Sequence, residues 1–178
     1  MSASRRVLER TAVLSLGSNL GPREEHLLAG VSDIAGIPAF GLTALSSLYE
    51  TSPVGISTEN FFVNMACAGL WRLTATDLLA ACRDIERKHG RPASTVTRDR
   101  TLDIDIVLLG GEIIEEPGLV IPHPRMHERL FVLAPLMEIC PWAVDPSSGR
   151  SIAEIYRNFA GEGWVRRISG RAWNRKTT

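Results

Sequence analysis

The chain has 178 residues, of which 44% are apolar, and its 20 Lys and Arg residues balance 20 Asp and Glu residues. This length and composition are typical of one soluble globular domain. The zero net charge does not provide the basic surface that general nucleic-acid binding requires. No apolar stretch is long enough to suggest a membrane span, and residues 12–16, the longest near the N-terminus, are too few for a signal sequence. We therefore expect a cytoplasmic protein without nucleic-acid or membrane partners.

Charge is unevenly distributed along the chain. Residues 164–178 contain five cations and no acid, so we expect a basic C-terminal tail there. Residues 1–163 would form a single domain behind a short polar leader. The three cysteines, Cys67, Cys82 and Cys140, are odd in number and have no close spacing. We interpret them as buried small hydrophobes rather than as disulfides or a thiolate metal site.

The first half of the chain predicts a strand, a helix and two further strands. Residues 11–17 form a short apolar run that ends at a glycine, which is typical of a buried strand. A helix should follow, with Pro22 in its first turn, because apolar residues then recur at three- and four-residue steps. Residues 42–50 and 61–71 are predicted strands on either side of a ten-residue loop, a length that is often functional.

The second half begins with a strong helix signal. Thr74 and Asp77 form a capping-box pattern, and Gly90 offers the left-handed residue that commonly ends a helix. After a polar loop over residues 91–100, residues 101–109 alternate with the period of a strand. The remaining predictions are a turn at residues 110–111, a short strand near Ile113, and helices near residues 128–137 and 151–159.

The predicted order of elements is strand, helix, strand, strand, helix, strand. This order matches the split βαβ arrangement, an α+β fold with a mainly antiparallel sheet and helices on one face, here with a C-terminal helical extension. Because that fold hosts many functions, the chemistry has to be argued from particular side chains.

Two carboxylates share one face of the predicted strand at residues 101–109. Side chains alternate across a sheet, so Asp103, Asp105 and Val107 should point one way and the even-numbered residues, Leu108 included, the other. The Cα atoms of the two aspartates would lie about 6.5 Å apart, close enough for both carboxylates to ligate one cation or a closely spaced pair. Hard carboxylate oxygens favour Mg²⁺ over zinc. The alternative is a pair of solvated surface charges.

Basic residues flank the carboxylates on both sides. They are Arg91, Arg98 and Arg100 before the pair, and His123, Arg125, His127 and Arg129 after it. Guanidinium groups beside a carboxylate metal site suggest a polyphosphate ligand, although each arginine alone could be a solvated charge. The two histidines do not suggest a zinc site, because Pro124 makes a shared helical face doubtful and the metalloprotease glutamate is missing.

Three other features are less specific. Residues 17–21 lack the lysine of a phosphate-binding loop and the spacing of a dinucleotide fingerprint, so we interpret them as a structural turn and cap. Phe62 and Phe131 could be ordinary core residues or rings that stack on a flat heterocycle. Asn64 should face the same side as Phe62, where its amide offers both a donor and an acceptor to a heterocycle edge, unless it is a satisfied core amide.

Taken together, these motifs resemble those of the 6-hydroxymethyl-7,8-dihydropterin pyrophosphokinase family of folate biosynthesis. The resemblance covers residues 13–141, and its most specific part is the Arg-Thr-Leu-Asp-Ile-Asp run at residues 100–105 followed by Pro-His at residues 122–123. Further matching segments are residues 16–20, 47–51, 62–64, 90–91 and 129–131. The resemblance implies a ferredoxin-like fold and transfer of the β,γ-diphosphate of MgATP to the pterin hydroxymethyl group, with release of AMP.

The resemblance also implies site residues and a monomeric small-molecule enzyme. Asp103 and Asp105 would bind two Mg²⁺ ions. Arg91, Arg100, His123 and Arg129 would hold the ATP polyphosphate, the first two as catalytic groups, and Glu86 would contribute near the nucleotide. The pterin would be held by Thr51, the backbone near Val54, Phe62, Asn64 and Phe131. Two alternatives are a catalytically weak nucleotide- or pterin-binding regulatory module on the same scaffold and a kinase that transfers only the γ-phosphoryl group.

Overall fold

The secondary structure follows the predicted order, divides the predicted strand at residues 42–50 into two, and adds two short strands that were not predicted. A computed structural model describes residues 9–54, 58, 60–90 and 99–168. The strands are β1 (Arg10–Ser18), β2 (Phe40–Leu45), β3 (Tyr49–Thr51), β4 (Phe62–Trp71), β5 (Asp103–Leu109), β6 (Ile114–Glu116), β7 (Leu119–Ile121) and β8 (Val165–Arg167). The helices are α1 (Arg23–Ala35), α2 (Ala75–Lys88), α3 (Leu130–Ile139) and α4 (Ile152–Arg157), with a 3₁₀ turn at Met126–Glu128.

The main sheet has the strand order β5-β1-β4-β3-β8, and β2 also pairs with β4. All of these pairings are antiparallel. Strands β6 and β7 form a separate antiparallel hairpin. Strand β7 was expected to be irregular, and β8 lies within the predicted basic tail. The predicted mainly antiparallel sheet is confirmed.

Helices cover both faces of this sheet. On one face, α1 and α2 pack on alternate residues of the central strands, such as Leu14, Leu16 and Met65. On the opposite face, α3 and α4 pack on a second apolar cluster that includes Val13 and Ala66. The split βαβ unit therefore has its own two helices on one face, and the C-terminal helical extension covers the other.

The capping-box sequence and the glycine at its end predicted helix α2 correctly. The Thr74 hydroxyl accepts a hydrogen bond from the backbone N–H of Asp77 at 3.1 Å, and the Asp77 carboxylate accepts one from the backbone N–H of Thr74 at 3.0 Å. Such a cap contributes about 1 kcal/mol to helix stability. Gly90 follows the helix with a φ of 83°, the left-handed conformation that was predicted.

The three cysteines are buried and free, as predicted. Burial raises the pKa of Cys82 and of Cys140 to about 12, so both thiols are protonated at neutral pH. Within the described ranges, no helix combines the length and the apolar character that crossing a bilayer requires.

A β-bulge in β5 changes the predicted alternation. Two consecutive residues of β1 pair with Leu108 and Ile106, which leaves Val107 as an extra residue between them. Val107 and Leu108 therefore both join the cluster under α3 and α4. The expectation that Leu108 shares a face with Ile106 is wrong, because periodicity in one strand does not reveal a bulge that depends on its partner. Asp103 and Asp105 precede the bulge and keep their predicted common face.

Candidate active site

The two aspartates lie on β5 at the edge of the main sheet, on the face that α3 and α4 cover further along the strands. Asp103 pairs with Gly17 of β1, and Asp105 pairs with Ser15. Their side chains are 24% and 37% exposed, so both carboxylates are within reach of a solvent-borne cation. The face is polar here because β1 contributes only a glycine and a serine beside them.

Each aspartate has an arginine beside it. Arg100, on the segment that leads into β5, donates from Nη1 to Asp103 Oδ2 at 2.5 Å. Arg129, between the 3₁₀ turn and α3, donates from Nη1 to Asp105 Oδ2 at 3.4 Å. Burial lowers the pKa of Arg129, and the neighbouring Asp105 opposes this effect. Two guanidinium groups, one on each carboxylate, suit a ligand that carries both a metal ion and phosphate charge.

His123 lies beside these charged residues, which we call the charged row (Asp103, Asp105, Arg100 and Arg129), because its backbone is bonded to the bulge of β5. Its backbone N–H donates to the carbonyl of Val107 at 3.0 Å, and its Nε2 lies 3.8 Å from Asp105 Oδ2 and 3.3 Å from Arg129 Nη1. Burial, followed by the nearby Arg129, lowers the pKa of His123 to about 4, so the ring is neutral at pH 7.

Both ring nitrogens of His123 lie beside hydrogen-bond donors. Nδ1 is 3.1 Å from the backbone N of Arg125, and Nε2 is 3.3 Å from Nη1 of Arg129. A neutral ring accepts at one nitrogen only, so His123 accepts from one of these two donors. His127 points elsewhere, with its Nε2 3.1 Å from Asp145 Oδ2.

Asn19 anchors the segment that carries Arg100, a role that sequence reasoning missed. Its Oδ1 accepts from the backbone N–H of Arg100 at 2.7 Å, and its Nδ2 donates to Asp99 Oδ1 at 2.7 Å. The backbone N–H of Asn19 donates in turn to the carbonyl of Arg100 at 3.1 Å. The predicted structural turn at residues 17–21 thus also holds the backbone of Arg100. An Asn in a short glycine-flanked turn was the available signal, but its partner lies 81 residues away.

The buried amide of Asn64 lies in the same cross-strand row as Asp103, with Gly17 between them. Asn64 Nδ2 donates to the Thr51 hydroxyl at 2.7 Å. A Cβ atom at Gly17 would lie only 2.8 Å from Asn64 Oδ1, so only glycine allows the amide to take this position. Thr51 and the close approach at Gly17 together fix which edge of the amide faces a ligand.

The other predicted pterin-binding residues come from three elements. Phe62 lies two residues before Asn64 on β4, on the same face, and is partly buried. Phe131, in the first turn of α3, packs against the second apolar cluster, and its ring centroid lies 5.6 Å from the Arg129 guanidinium. Val54 follows β3 and is partly buried. Asp103, Asp105, Asn64 and Phe62 therefore share the sheet face on which Phe131 packs.

One predicted site residue, Glu86, lies apart from this group. Glu86 is buried on α2, where its Oε1 accepts a hydrogen bond from the backbone N–H of Ile104 at 2.8 Å. Because β5 is an edge strand, this contact satisfies a backbone donor that lacks a strand partner. Arg91 lies outside the described residues, as does Arg98.

Comparison with known proteins identifies the family. Residues 13–141 match the family described as 7,8-dihydro-6-hydroxymethylpterin-pyrophosphokinase (HPPK). This chain belongs to the HPPK family. Among its relatives are proteins named 2-amino-4-hydroxy-6-hydroxymethyldihydropteridine pyrophosphokinase. The one from Bacillus subtilis (strain 168) is 44% identical over 133 residues, which cover 75% of this chain and 80% of the relative. The one from Haemophilus influenzae is 38% identical over 150 residues, covering 84% and 93%.

Solved HPPK structures have the same fold. The chain matches the HPPK-DHPS protein of Plasmodium falciparum, crystallised as wild type with SDX-DHP, with a TM-score of 0.69 at 14% identity. The match covers 88% of this chain and 45% of that one, so this chain spans about half of its length. The predicted ferredoxin-like fold and the predicted family are both confirmed. The prediction of a transferase enzyme rather than a regulatory module is confirmed by the named relatives.

HPPK enzymes use ATP with Mg²⁺, and the residues present fit this requirement. Asp103 and Asp105 supply oxygen donors on one partly exposed face, as Mg²⁺ prefers. In the part of the chain that the structure describes, no three His, Cys, Asp or Glu residues come together as a metal site. The aspartate pair would therefore leave most coordination positions to phosphate oxygens and water, which is how Mg²⁺ usually binds with nucleotides.

Proposed function

We propose that this protein transfers the β,γ-diphosphate of MgATP to the hydroxymethyl group of 6-hydroxymethyl-7,8-dihydropterin, giving the pterin diphosphate and AMP. The observation that carries the proposal is one continuous row on the sheet face. It runs from Asp103, with Arg100 beside it, across Gly17 to Asn64. A charged site for polyphosphate thus lies next to a buried amide that can recognise a heterocycle.

Asp103 and Asp105 would hold two Mg²⁺ ions at the charged end of this row. Bound Mg²⁺ would neutralise phosphate charge and draw the phosphate oxygens to the aspartates. Arg100 and Arg129 would exchange part of their contact with the aspartates for contact with the phosphates. His123 would donate from Nε2 to a phosphate oxygen, and Arg91 would belong to the same set by its place in the matched motif.

At the other end of the row, Asn64 would bind the pterin edge, with its amide held by the Thr51 hydroxyl. The backbone near Val54 would supply a further hydrogen bond. Phe62 and Phe131 would stack on the two faces of the ring, which is the arrangement that flat heterocycles favour. Glu86 would act near the nucleotide from its buried position behind β5.

In the reaction, the hydroxymethyl oxygen forms a bond to the β-phosphorus of ATP, and the bond between that phosphorus and the α,β-bridging oxygen breaks. The hydroxyl proton leaves to solvent. Within the described residues we assign no general base, because Arg129 contacts His123 and both aspartates contact arginines. Alignment of the reacting groups and neutralisation of charge would therefore supply most of the rate enhancement.

The test is to incubate the purified protein with ATP, Mg²⁺ and 6-hydroxymethyl-7,8-dihydropterin and to separate the nucleotide products by chromatography. Reactions that lack pterin or Mg²⁺ are the controls. We expect AMP that depends on both. ADP as the product would replace this proposal with transfer of a single phosphoryl group. A folded protein that binds pterin without turnover would replace it with the regulatory module.

We propose further that the protein acts as a monomer in the cytoplasm and has no nucleic-acid or membrane partner. The balanced charge composition supports the absence of a nucleic-acid partner, since it provides no extended basic field.

A further inference from the structure

The chain after α4 returns to the site as a segment that we call the C-terminal strap, residues 161–168. It lies beyond residues 13–141, the part that matches the HPPK family. Its strand β8 pairs with β3, so that Val165 lies opposite Thr51 and Arg167 opposite Tyr49. Since Thr51 also pairs with Phe62 on β4, the strap directly extends the sheet beside the heterocycle-binding residues.

The strap makes a reciprocal contact with the start of the loop that follows β3. The backbone N–H of Trp164 donates to the Ser52 hydroxyl at 3.0 Å, and the backbone N–H of Ser52 donates to the Trp164 carbonyl at 3.3 Å. The Trp164 ring meets the Phe61 ring edge-on, with centroids 5.3 Å apart. The strap is therefore attached to both sides of the loop, at Ser52 and at Phe61.

Gly163 allows the closest part of this contact. A Cβ atom at Gly163 would lie 2.9 Å from Val54 Cγ2 and 3.1 Å from the Ser52 hydroxyl, and its φ is 98°. Any side chain at this position would push Val54 away. At the start of the strap, a Cβ atom at Gly161 would lie 3.2 Å from the carbonyl of Glu128, the residue before Arg129. The strap thus runs from the phosphate-binding side of the site to the pterin-binding side.

We propose that the C-terminal strap positions the backbone near Val54 and the Thr51 hydroxyl, and so sets the affinity of the enzyme for its flat heterocyclic alcohol substrate. This inference rests on the proposed function. Ser52, Gly163 and Trp164 are positioning residues in this view, because they act on the substrate through their neighbours. Their effect should appear in pterin binding and not in nucleotide binding, since Ser52, Gly163 and Trp164 contact one another and Val54 at the start of the loop after β3.

The decisive variant is Gly163→Ala, and Gly149→Ala is its matched control. Both glycines have a positive φ, but a Cβ atom at Gly149 would meet nothing within 4 Å. An alanine at either position carries the strain of a positive φ, which is larger at Gly163, with φ 98°, than at Gly149, with φ 69°. Only Gly163→Ala also displaces the Val54 side chain, and thermal unfolding of both variants measures the difference in strain. We expect Gly163→Ala to raise the Kd for the pterin at least about fivefold relative to Gly149→Ala, equivalent to one lost hydrogen bond. The Kd for a non-hydrolysable MgATP analogue should change less than twofold.

If Gly163→Ala fails to fold, two less disruptive variants test the contact between Ser52 and Trp164. Ser52→Ala removes the hydroxyl that accepts from Trp164, whereas Ser52→Thr retains it. We expect Ser52→Ala to raise the pterin KM while kcat and the ATP KM stay within twofold, and Ser52→Thr to restore most of the wild-type value. Thermal unfolding of each variant shows how much of any effect comes from stability alone.

The outcomes separate the two proposals. If the wild-type protein makes no AMP from ATP, Mg²⁺ and the pterin, the proposed function fails and this inference fails with it. If the wild type makes AMP but the folded Gly163→Ala and Ser52→Ala variants bind pterin as tightly as their controls, only the positioning role is overturned. Weakened binding of pterin and nucleotide alike would also overturn it, because that result indicates a general loss of structure.

Discussion

Replacing Thr51 by valine should weaken the protein and its pterin binding through a single buried hydrogen bond. Thr51 and Asn64 are 1% and 3% exposed, and the bond from Asn64 Nδ2 to the Thr51 hydroxyl is 2.7 Å long. Valine has nearly the same shape and favours a strand equally, so packing should change little. The amide N–H of Asn64, however, loses its partner in a place that water does not reach.

Leaving a buried amide donor unpaired costs about 1–3 kcal/mol, and we expect the free energy of unfolding to fall by that amount. The amide also loses the contact that orients it, so the Kd for the pterin should rise by about tenfold, or about 1.4 kcal/mol. Urea unfolding followed by tryptophan fluorescence measures the first quantity, and titration with the pterin measures the second.

Thr43→Val is the matched control. The Thr43 hydroxyl also makes a hydrogen bond, here as the donor to the carbonyl of Ala68 at 3.0 Å, but the residue is exposed on β2. Water can replace that bond, so we expect a loss of less than about 0.5 kcal/mol and an unchanged pterin Kd. If Thr51→Val and Thr43→Val lose equal stability, the reasoning from the buried amide is refuted.

Three further predictions concern the charged row and the polar groups around it. Asp105→Ala should keep the wild-type circular dichroism spectrum but lose turnover. The control Asp84→Ala, on the exposed face of α2, should keep both the spectrum and the turnover. Unaltered activity of Asp105→Ala would contradict the metal assignment. Asn19→Ala should lower kcat/KM for ATP by about tenfold because Arg100 loses its anchor, and steady-state kinetics with an unchanged value would argue against that role. Burial and a neighbouring carboxylate raise the pKa of Tyr49 to about 12, so absorbance at 295 nm should show one of the two tyrosines titrating there and Tyr49→Phe should remove that step. Since this pKa lies above the ordinary value of 10, the associated stability is present below pH 10 and is lost as the pH rises towards 12.

The parts of the structure that depend on neighbouring residues in sequence were predictable. The capping box at Thr74 and Asp77 requires a spacing of three residues, and the helix that it predicts is present. The common face of Asp103 and Asp105 requires only that side chains alternate along a strand. The family motifs are of the same kind, because each is a short run of residue types.

Features that depend on distant pairing were not predictable from the pattern. The bulge at Val107 exists only in register with β1, and its carbonyl then receives the backbone N–H of His123. Strand β8 has three residues and no strong periodicity, and its partner β3 is more than 100 residues earlier in the chain. The sequence around Asn19 indicates only an ordinary turn residue, because its partner Arg100 is brought beside it by the fold.

The sequence by itself therefore determined the chemistry of this protein, namely which side chains are available for metal, phosphate and heterocycle, and the fold class in which they lie. Only the tertiary structure decided how those side chains are held. It places His123 beside Asp105 and Arg129, orients Asn64 through Thr51, anchors Arg100 through Asn19 and brings the C-terminal strap against Val54. The physical reason is that propensity and periodicity act over a few residues. A hydrogen-bond partner, in contrast, depends on which distant groups the folded chain brings within about 3 Å.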